Sequence, residues 1–199
     1  MLSHLSKKSV LAGKILGRYI SPIHPVLECL VVPVIRLSRP PRSRSRFSPI
    51  KIPVIQKLLT KHAGEPTLII GQYIDQLNAV AGALNAQLIT GETPVDERER
   101  LFGEFREGRI SVLVVSKVAN FSIDLPEASV AIQISGSYGS RQEEAQRLGR
   151  LLRPKADGRT ASFYTLIARD TVDQDFAQNR QRFLAEQGYA YEILDAVDL

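Results

Sequence analysis

"SVLVVSKVANFSIDLPEASVAIQIS", residues 111–135, sets two apolar runs on either side of a polar loop. "SVLVV" and "VAIQIS" are short, rich in β-branched residues and apolar at nearly every position. That pattern describes strands covered on both faces, which is how strands of a parallel sheet are buried. The loop between them, "SKVANFSIDLPEAS", shows no helical period. Outward from this stretch, apolar runs alternate with helical patterns in both directions. Upstream lie a helix in "IPVIQKLLTKHAG", a strand "TLIIG", a helix "YIDQLNAVAGALN", a strand "AQLIT" and a helix "TPVDERERLFGEFREG". Downstream lie a Ser/Gly-rich turn, a helix in "EEAQRLGRLLRP", a strand "ASFYTLI", a helix "DQDFAQNRQRFLAEQG" and a tail "YEILD" suited to an edge strand. Strand and helix in alternation predict an α/β fold with a mainly parallel sheet.

Local signals support individual elements. In the helix after "AQLIT", Thr93 is placed to cap, Pro94 to occupy the first helical position, and Asp96 and Glu97 to face the helix's positive end. Leu101 and Phe105, four apart, anchor it to a core. Ile55, Leu58 and Leu59 share a face in the first helix, and Ile74, Leu77 and Ala81 in the second.

Composition narrows the function. Of 26 Lys/Arg, nine fall in residues 1–50 against one acidic residue, Glu28, a net +8. The other 149 residues hold 17 basic and 20 acidic side chains, a net −3. The high charge therefore belongs to the leader, and a nucleic-acid site on the body has to be a local patch. Residues 1–50 also hold six of eleven prolines and the run "RLSRPPRSRSRFSP". This composition fits an organellar transit peptide, a disordered basic arm, or a gene start cut off from its upstream neighbour. We expect 1–50 to be a poorly structured basic arm outside the fold, with an apolar patch "LECLVVPVI" able to form a strand or a short helix interrupted by Pro33, and 51–199 to be the folded domain. One cysteine, Cys29, excludes an internal disulfide framework and points to a reducing, cytoplasmic setting. His4, His24 and His62 lack metal-ligand spacing, so no metal is expected on this chain. No apolar run approaches the roughly 20 residues of a membrane span.

In parallel α/β sheets, ligands bind beyond the carboxyl ends of the strands. The loop after "SVLVV", the turn after "VAIQIS" and "TGETP" after "AQLIT" all occupy that edge. On a helical wheel of "EEAQRLGRLLRP", residues 143–154, Gln146, Arg150 and Arg153 lie within roughly 60° of one another, with Leu148, Leu151 and Leu152 opposite. Pro154 ends the helix. A leucine face pins such a helix to a core and holds the guanidiniums where they can clamp a terminal phosphoryl group. The alternative, a solvated face paired with Glu143 and Glu144, is weakened because Gln142, Gln146, Arg150 and Arg153 line one face without a carboxylate. Asp124 can accept from a ribose hydroxyl or simply cap a turn. Ser116 and Lys117, at a strand end, suit backbone phosphates.

These same stretches carry a family resemblance. "VLVVSKVANFSIDLPEASVAIQIS" resembles motif V of superfamily-two helicases, and "SRQEEAQRLGRLLRP" resembles motif VI. "LIIGQYIDQL" is similar to motif IV, and "LITGETPVDERERLFGEFREG" to the segment after it. The nearest family is the XPB-type DNA repair helicases in their bacterial form, over about residues 51–199. The resemblance implies a RecA-like parallel sheet sandwiched by helices: the second lobe of a two-lobed, ATP-driven 3′-to-5′ DNA translocase. It implies that Arg150 and Arg153 are arginine fingers, that Gln146 senses the nucleotide, and that Asp124 lies near the ribose. It implies that Thr90, Gly91, Ser116 and Lys117 track one DNA strand. The chain departs from many relatives at Ser122, where a glycine is common, and at Ala119-Asn120, where the repair branch often has Gly-Asp.

No G-x-x-x-x-G-K-[ST] motif and no Asp-Glu-x-His-type motif occurs. These position ATP and Mg2+ in the complete enzyme, so we expect this chain alone to hold neither and not to hydrolyse ATP. The implied partners are DNA and a first RecA-like lobe in cis or in trans, in a cytoplasmic, nucleoid-associated setting. A non-catalytic DNA- or partner-binding module derived from a truncated helicase remains the other reading.

Overall fold

Buried apolar runs become strands and amphipathic runs become helices. The computed structural model describes residues 31–37, 50–116, 128–135, 161–168 and 190–196. In chain order these form β1 (Val31–Leu37), α1 (Lys51–Lys61), β2 (Thr67–Gly71), α2 (Ile74–Leu84), β3 (Gln87–Ile89) and α3 (Val95–Arg106). They continue with β4 (Val112–Ser116), β5 (Val130–Gln133), β6 (Ser162–Ala168) and β7 (Ala190–Asp195). The strands make one seven-stranded sheet in the order β3-β4-β2-β5-β6-β1-β7. Every pairing is parallel.

The two-residue period of each strand divides the core between two faces. Leu68 and Ile70 of β2, with Leu113 and Val115 of β4, pack on Leu101, Phe102 and Phe105 of α3. Ile69, Val114 and Ile132 point the other way, onto Val54, Ile55 and Leu58 of α1 and Leu77 and Val80 of α2. The crossovers explain this division. From β1 to β2 and from β2 to β3 the chain steps one way along the sheet; from β3 to β4 it steps back. Right-handed crossovers in opposite directions place their helices on opposite faces.

Helix ends follow local chemistry. Asn85 closes α2 in the left-handed region, φ 50°, and its N–H reaches the Ala81 and Gly82 carbonyls. Glu107 caps α3, and Gly108 follows at φ +75°, a conformation that favours a residue without a Cβ.

Three features differ from the sequence expectations. The sheet takes in residues 31–37, which the composition had placed in an arm outside the fold. β1 lies between β6 and β7, with Val34 opposite Thr165 on one side and Ile193 on the other. Val34, Ile35 and Leu37 are buried, so the apolar part of a basic segment is recruited by a gap in the sheet. The second difference is at α3, where Pro94, extended at ψ 149°, takes the N-cap position instead of Thr93. Its carbonyl accepts from Arg98 N–H, while the Thr93 hydroxyl turns back to accept from Thr90 N–H. The third is Ile74, expected on the packed face of α2. As the first residue of that helix it stands at the edge of the sheet and is 45% exposed.

At the amino-terminal edge of the sheet, His62 joins α1 to β6. Its Nε2 is 2.8 Å from the Tyr164 hydroxyl and its Nδ1 is 3.0 Å from Glu65 Oε1. Burial pushes the Tyr164 hydroxyl above the ordinary tyrosine value of 10.0.

Candidate functional site

The parallel register brings the carboxyl ends of the strands to one rim. Gly71 of β2 lies opposite Ser116 of β4, and Ile89 of β3 opposite Val115. Thr90, one residue past Ile89, therefore stands beside Ser116, and two residues expected to meet DNA become neighbours. Ser116 is buried, Thr90 half-buried and Gly91 exposed. Lys117, Asp124, Gln146, Arg150 and Arg153 lie outside the described residues. Lys117 directly follows Ser116 in the chain, and the segment bearing Gln146, Arg150 and Arg153 joins the carboxyl end of β5 to β6.

The turn after β3 is fixed by its own side chains. Thr90 N–H donates to Thr93 Oγ1 at 2.9 Å, and Glu92 N–H donates to Thr90 Oγ1 at 3.2 Å. Arg98 Nη2 reaches back from α3 to the Thr93 carbonyl at 3.1 Å. The Thr90 hydroxyl accepts here, which leaves its own proton to give to an oxygen on the rim. Such a turn offers a hydroxyl and an exposed glycine backbone, which is the chemistry that contacts a phosphodiester backbone without reading bases.

Sequence reasoning missed a second cluster, between β2 and β5. From β2 the chain steps toward β3; from β5 it steps the opposite way, to β6. This is a topological switch point, the place where open α/β sheets bind ligands. Lys51, the first residue of α1, is buried here and its Nζ donates to the Ile134 carbonyl at 2.5 Å. Gln72 N–H donates to Ser135 Oγ at 2.8 Å. Gly71 lies against both: a Cβ there would stand 2.8 Å from Leu77 Cδ2, 3.0 Å from Ile134 Cγ1 and 3.2 Å from Ser135 Oγ. Among the described residues, Gln72 Oε1 and Gln76 Oε1 are buried without a hydrogen-bond partner. A signal for this cluster was present in the sequence: a lysine opening a helix, where an acid is expected.

Only Gln72 and Tyr73 separate β2 from α2, too short for a glycine-rich cradle, and the space that Gly71 leaves is filled by the protein's own side chains. Among the described residues, no group of three or more His, Cys, Asp or Glu is placed to hold a metal ion. Nor is any helix among them long and apolar enough to cross a membrane.

This seven-stranded parallel sheet with helices on both faces has the RecA-like fold. Solved structures share this fold. The C-terminal domain of the DEAD-box protein Dbp5 superposes with a TM-score of 0.65 at 18% identity, covering 85% of this chain and 91% of that one. S. cerevisiae Dbp5 bound to RNA and ADP BeF3 gives 0.68 at 18% identity, covering 86% of this chain and 43% of that one.

Residues 42–198 match the ERCC3/RAD25/XPB C-terminal helicase family, and the chain belongs to it. The DNA 3'-5' helicase XPB of Kineococcus radiotolerans is 70% identical over 146 residues, 73% of this chain and 26% of that protein. The DNA 3'-5' helicase XPB of Mycobacterium tuberculosis is 62% identical over 149 residues, 75% of this chain and 27% of that protein. In Drosophila melanogaster, the general transcription and DNA repair factor IIH helicase/translocase subunit XPB is 40% identical over 155 residues, 74% of this chain and 19% of that protein. The chain thus spans about a quarter of the length of its bacterial relatives.

Proposed function

We propose that this chain works as the second lobe of an ATP-driven 3′-to-5′ DNA translocase of the XPB type, acting in DNA repair. The observation that carries the proposal is the 70% identity to a DNA 3'-5' helicase over 146 residues, 73% of this chain. Arg150 and Arg153 are the arginine fingers, Gln146 senses the nucleotide and Asp124 lies near the ribose. Thr90, Gly91, Ser116 and Lys117 track one DNA strand; the adjacent carboxyl ends of β3 and β4, where Thr90 and Ser116 stand, support this part. ATP and its Mg2+ are held by a first RecA-like lobe, in cis or in trans. When bound, the nucleotide supplies the phosphoryl group whose cleavage drives movement. This chain contributes positive charge toward that group and a rim for the DNA backbone. The setting is cytoplasmic and nucleoid-associated.

The test is complementation. Mixed with the first lobe of a bacterial XPB-type helicase, the chain should restore DNA-stimulated ATP hydrolysis, and Arg150→Ala should abolish it. DNA binding that persists with no hydrolysis, in mixtures with either version of the chain, would favour the non-catalytic module instead.

A further inference from the structure

Tyr73 breaks two local preferences. It is the N-cap of α2, a position that favours Ser, Thr, Asp or Asn, and its side chain makes no capping hydrogen bond. It is also the one phenylalanine or tyrosine side chain among those described that is only half-buried; Phe102, Phe105, Phe163 and Tyr164 all lie in the core. Ile74 follows it and is 45% exposed. A lone exposed isoleucine is ordinary. An isoleucine beside a half-buried ring, both at the ligand-binding edge of a parallel sheet, makes an apolar patch where the fold offers a site.

The backbone under this patch is held on both sides. Gln72 N–H donates to Ser135 Oγ at 2.8 Å, and the Tyr73 carbonyl accepts from Leu77 N–H at 3.0 Å. The sheet register sets the neighbours of the patch. Gly71 lies opposite Ser116 and Ile89 opposite Val115, so the carboxyl ends of β3, β4 and β2 stand side by side. Thr90 follows the first, Ser116 closes the second, and Tyr73 stands two residues past the third. Two strand spacings, about 10 Å, separate β3 from β2. Three stacked nucleotides, at about 3.4 Å each, cover the same distance. A DNA strand whose backbone meets Thr90 and Ser116 therefore has a base at the level of Tyr73.

We propose that Tyr73 and Ile74 form a platform on which a base of single-stranded DNA stacks. The proposal deepens, and rests on, the reading of Thr90, Gly91 and Ser116 as backbone contacts. Every base has a π-face, so the platform takes any sequence, as a translocase requires. Stacking releases no counterions, so it adds the part of the affinity that salt does not weaken.

The probes are a short oligothymidylate and a strand of the same length made of abasic sites, which keeps the phosphates and has nothing to stack. The full chain should bind the first about tenfold more tightly, the effect of one stacked base. Tyr73→Leu keeps an apolar side chain and loses the ring. It should bind both strands with the same affinity, at an unchanged slope of log Kd against log salt. Tyr73→Phe should keep the wild-type preference. A Tyr73→Leu chain that retains the preference, or that weakens equally on both strands, overturns the proposal. So does a loss of preference in Tyr73→Phe, which would assign the effect to the hydroxyl. If Tyr73→Leu does not fold, Ile74→Ser, at an exposed position, takes its place: the preference should fall about threefold, and an unchanged preference overturns the proposal. A wild-type chain that binds neither strand removes the DNA-binding reading and the platform with it. One that binds both alike overturns only the platform.

Discussion

Gly71 and Tyr164 show how far single positions constrain this lobe. Gly71 needs no unusual backbone angle; it is required because Leu77, Ile134 and Ser135 occupy the space a Cβ would take. Leu77 is fully buried and cannot swing clear. Gly71→Ala should therefore cost about 1–3 kcal/mol, measured as a lower urea midpoint with unchanged m-value. Tyr164 is instead sensitive to pH. Its hydroxyl is raised above 10.0 mainly by burial, so the folded state favours the neutral form. A raised value means stability that is fully present below the unfolded value and lost as pH rises through the folded one. Tyr164→Phe should melt below wild type near neutral pH, because it forfeits the 2.8 Å contact with His62, a loss of about 0.5–1.5 kcal/mol. Above pH 10 the gap should narrow, since only wild type has to bury or protonate a tyrosinate. Melting curves of both proteins at neutral pH and at about pH 11 check this; a gap that stays constant would contradict the burial argument.

Among the elements, β1 carries the clearest consequence. β7 pairs with β1 alone among the described residues, and β6 pairs with β1 and β5. Removing β1 strips β7 of that partner and exposes the places of Val34, Ile35 and Leu37. Each buried side chain of this kind contributes about 1.5–3 kcal/mol, and together they approach the whole stability of an ordinary domain, about 5–15 kcal/mol. A chain of residues 31–199 and the full chain should both unfold cooperatively. A chain of residues 51–199 should lose the cooperative transition in urea. Equal stability of the two would mean that β1 adds nothing to the sheet. The same argument governs any test of the basic segment in DNA binding: truncation has to stop short of residue 31 to leave the sheet intact.

For the whole molecule, charge and partnership decide behaviour. The body carries a net −3 and the first fifty residues +8, so the proposed contact between the body and DNA has to depend on placed groups at the rim and not on bulk attraction. On the proposed reading, catalysis depends on a second body. An arginine finger contributes about 10³–10⁵ in rate only when it reaches a phosphoryl group held by other residues. Alone, the chain should show no DNA-stimulated ATP hydrolysis above background. With a first lobe it should, and Arg150→Ala should remove a factor in that range. Hydrolysis by the isolated chain would contradict the proposed assignment of ATP and Mg2+ to a first lobe.

The sequence alone carried the alternation of strand and helix, the family resemblance and the expectation of a working rim at the carboxyl ends of the strands. Those depend on local periodicity and on contiguous motifs, which the order of residues displays directly. It placed β2 at 67–71, and the structure agrees. It misjudged β1, because burial of a short apolar run in a basic segment depends on a gap between β6 and β7, strands that come more than a hundred residues later. It passed over Lys51 for the same reason. The carbonyl that the lysine binds is 83 residues away, and only the order of strands in the sheet brings the two together.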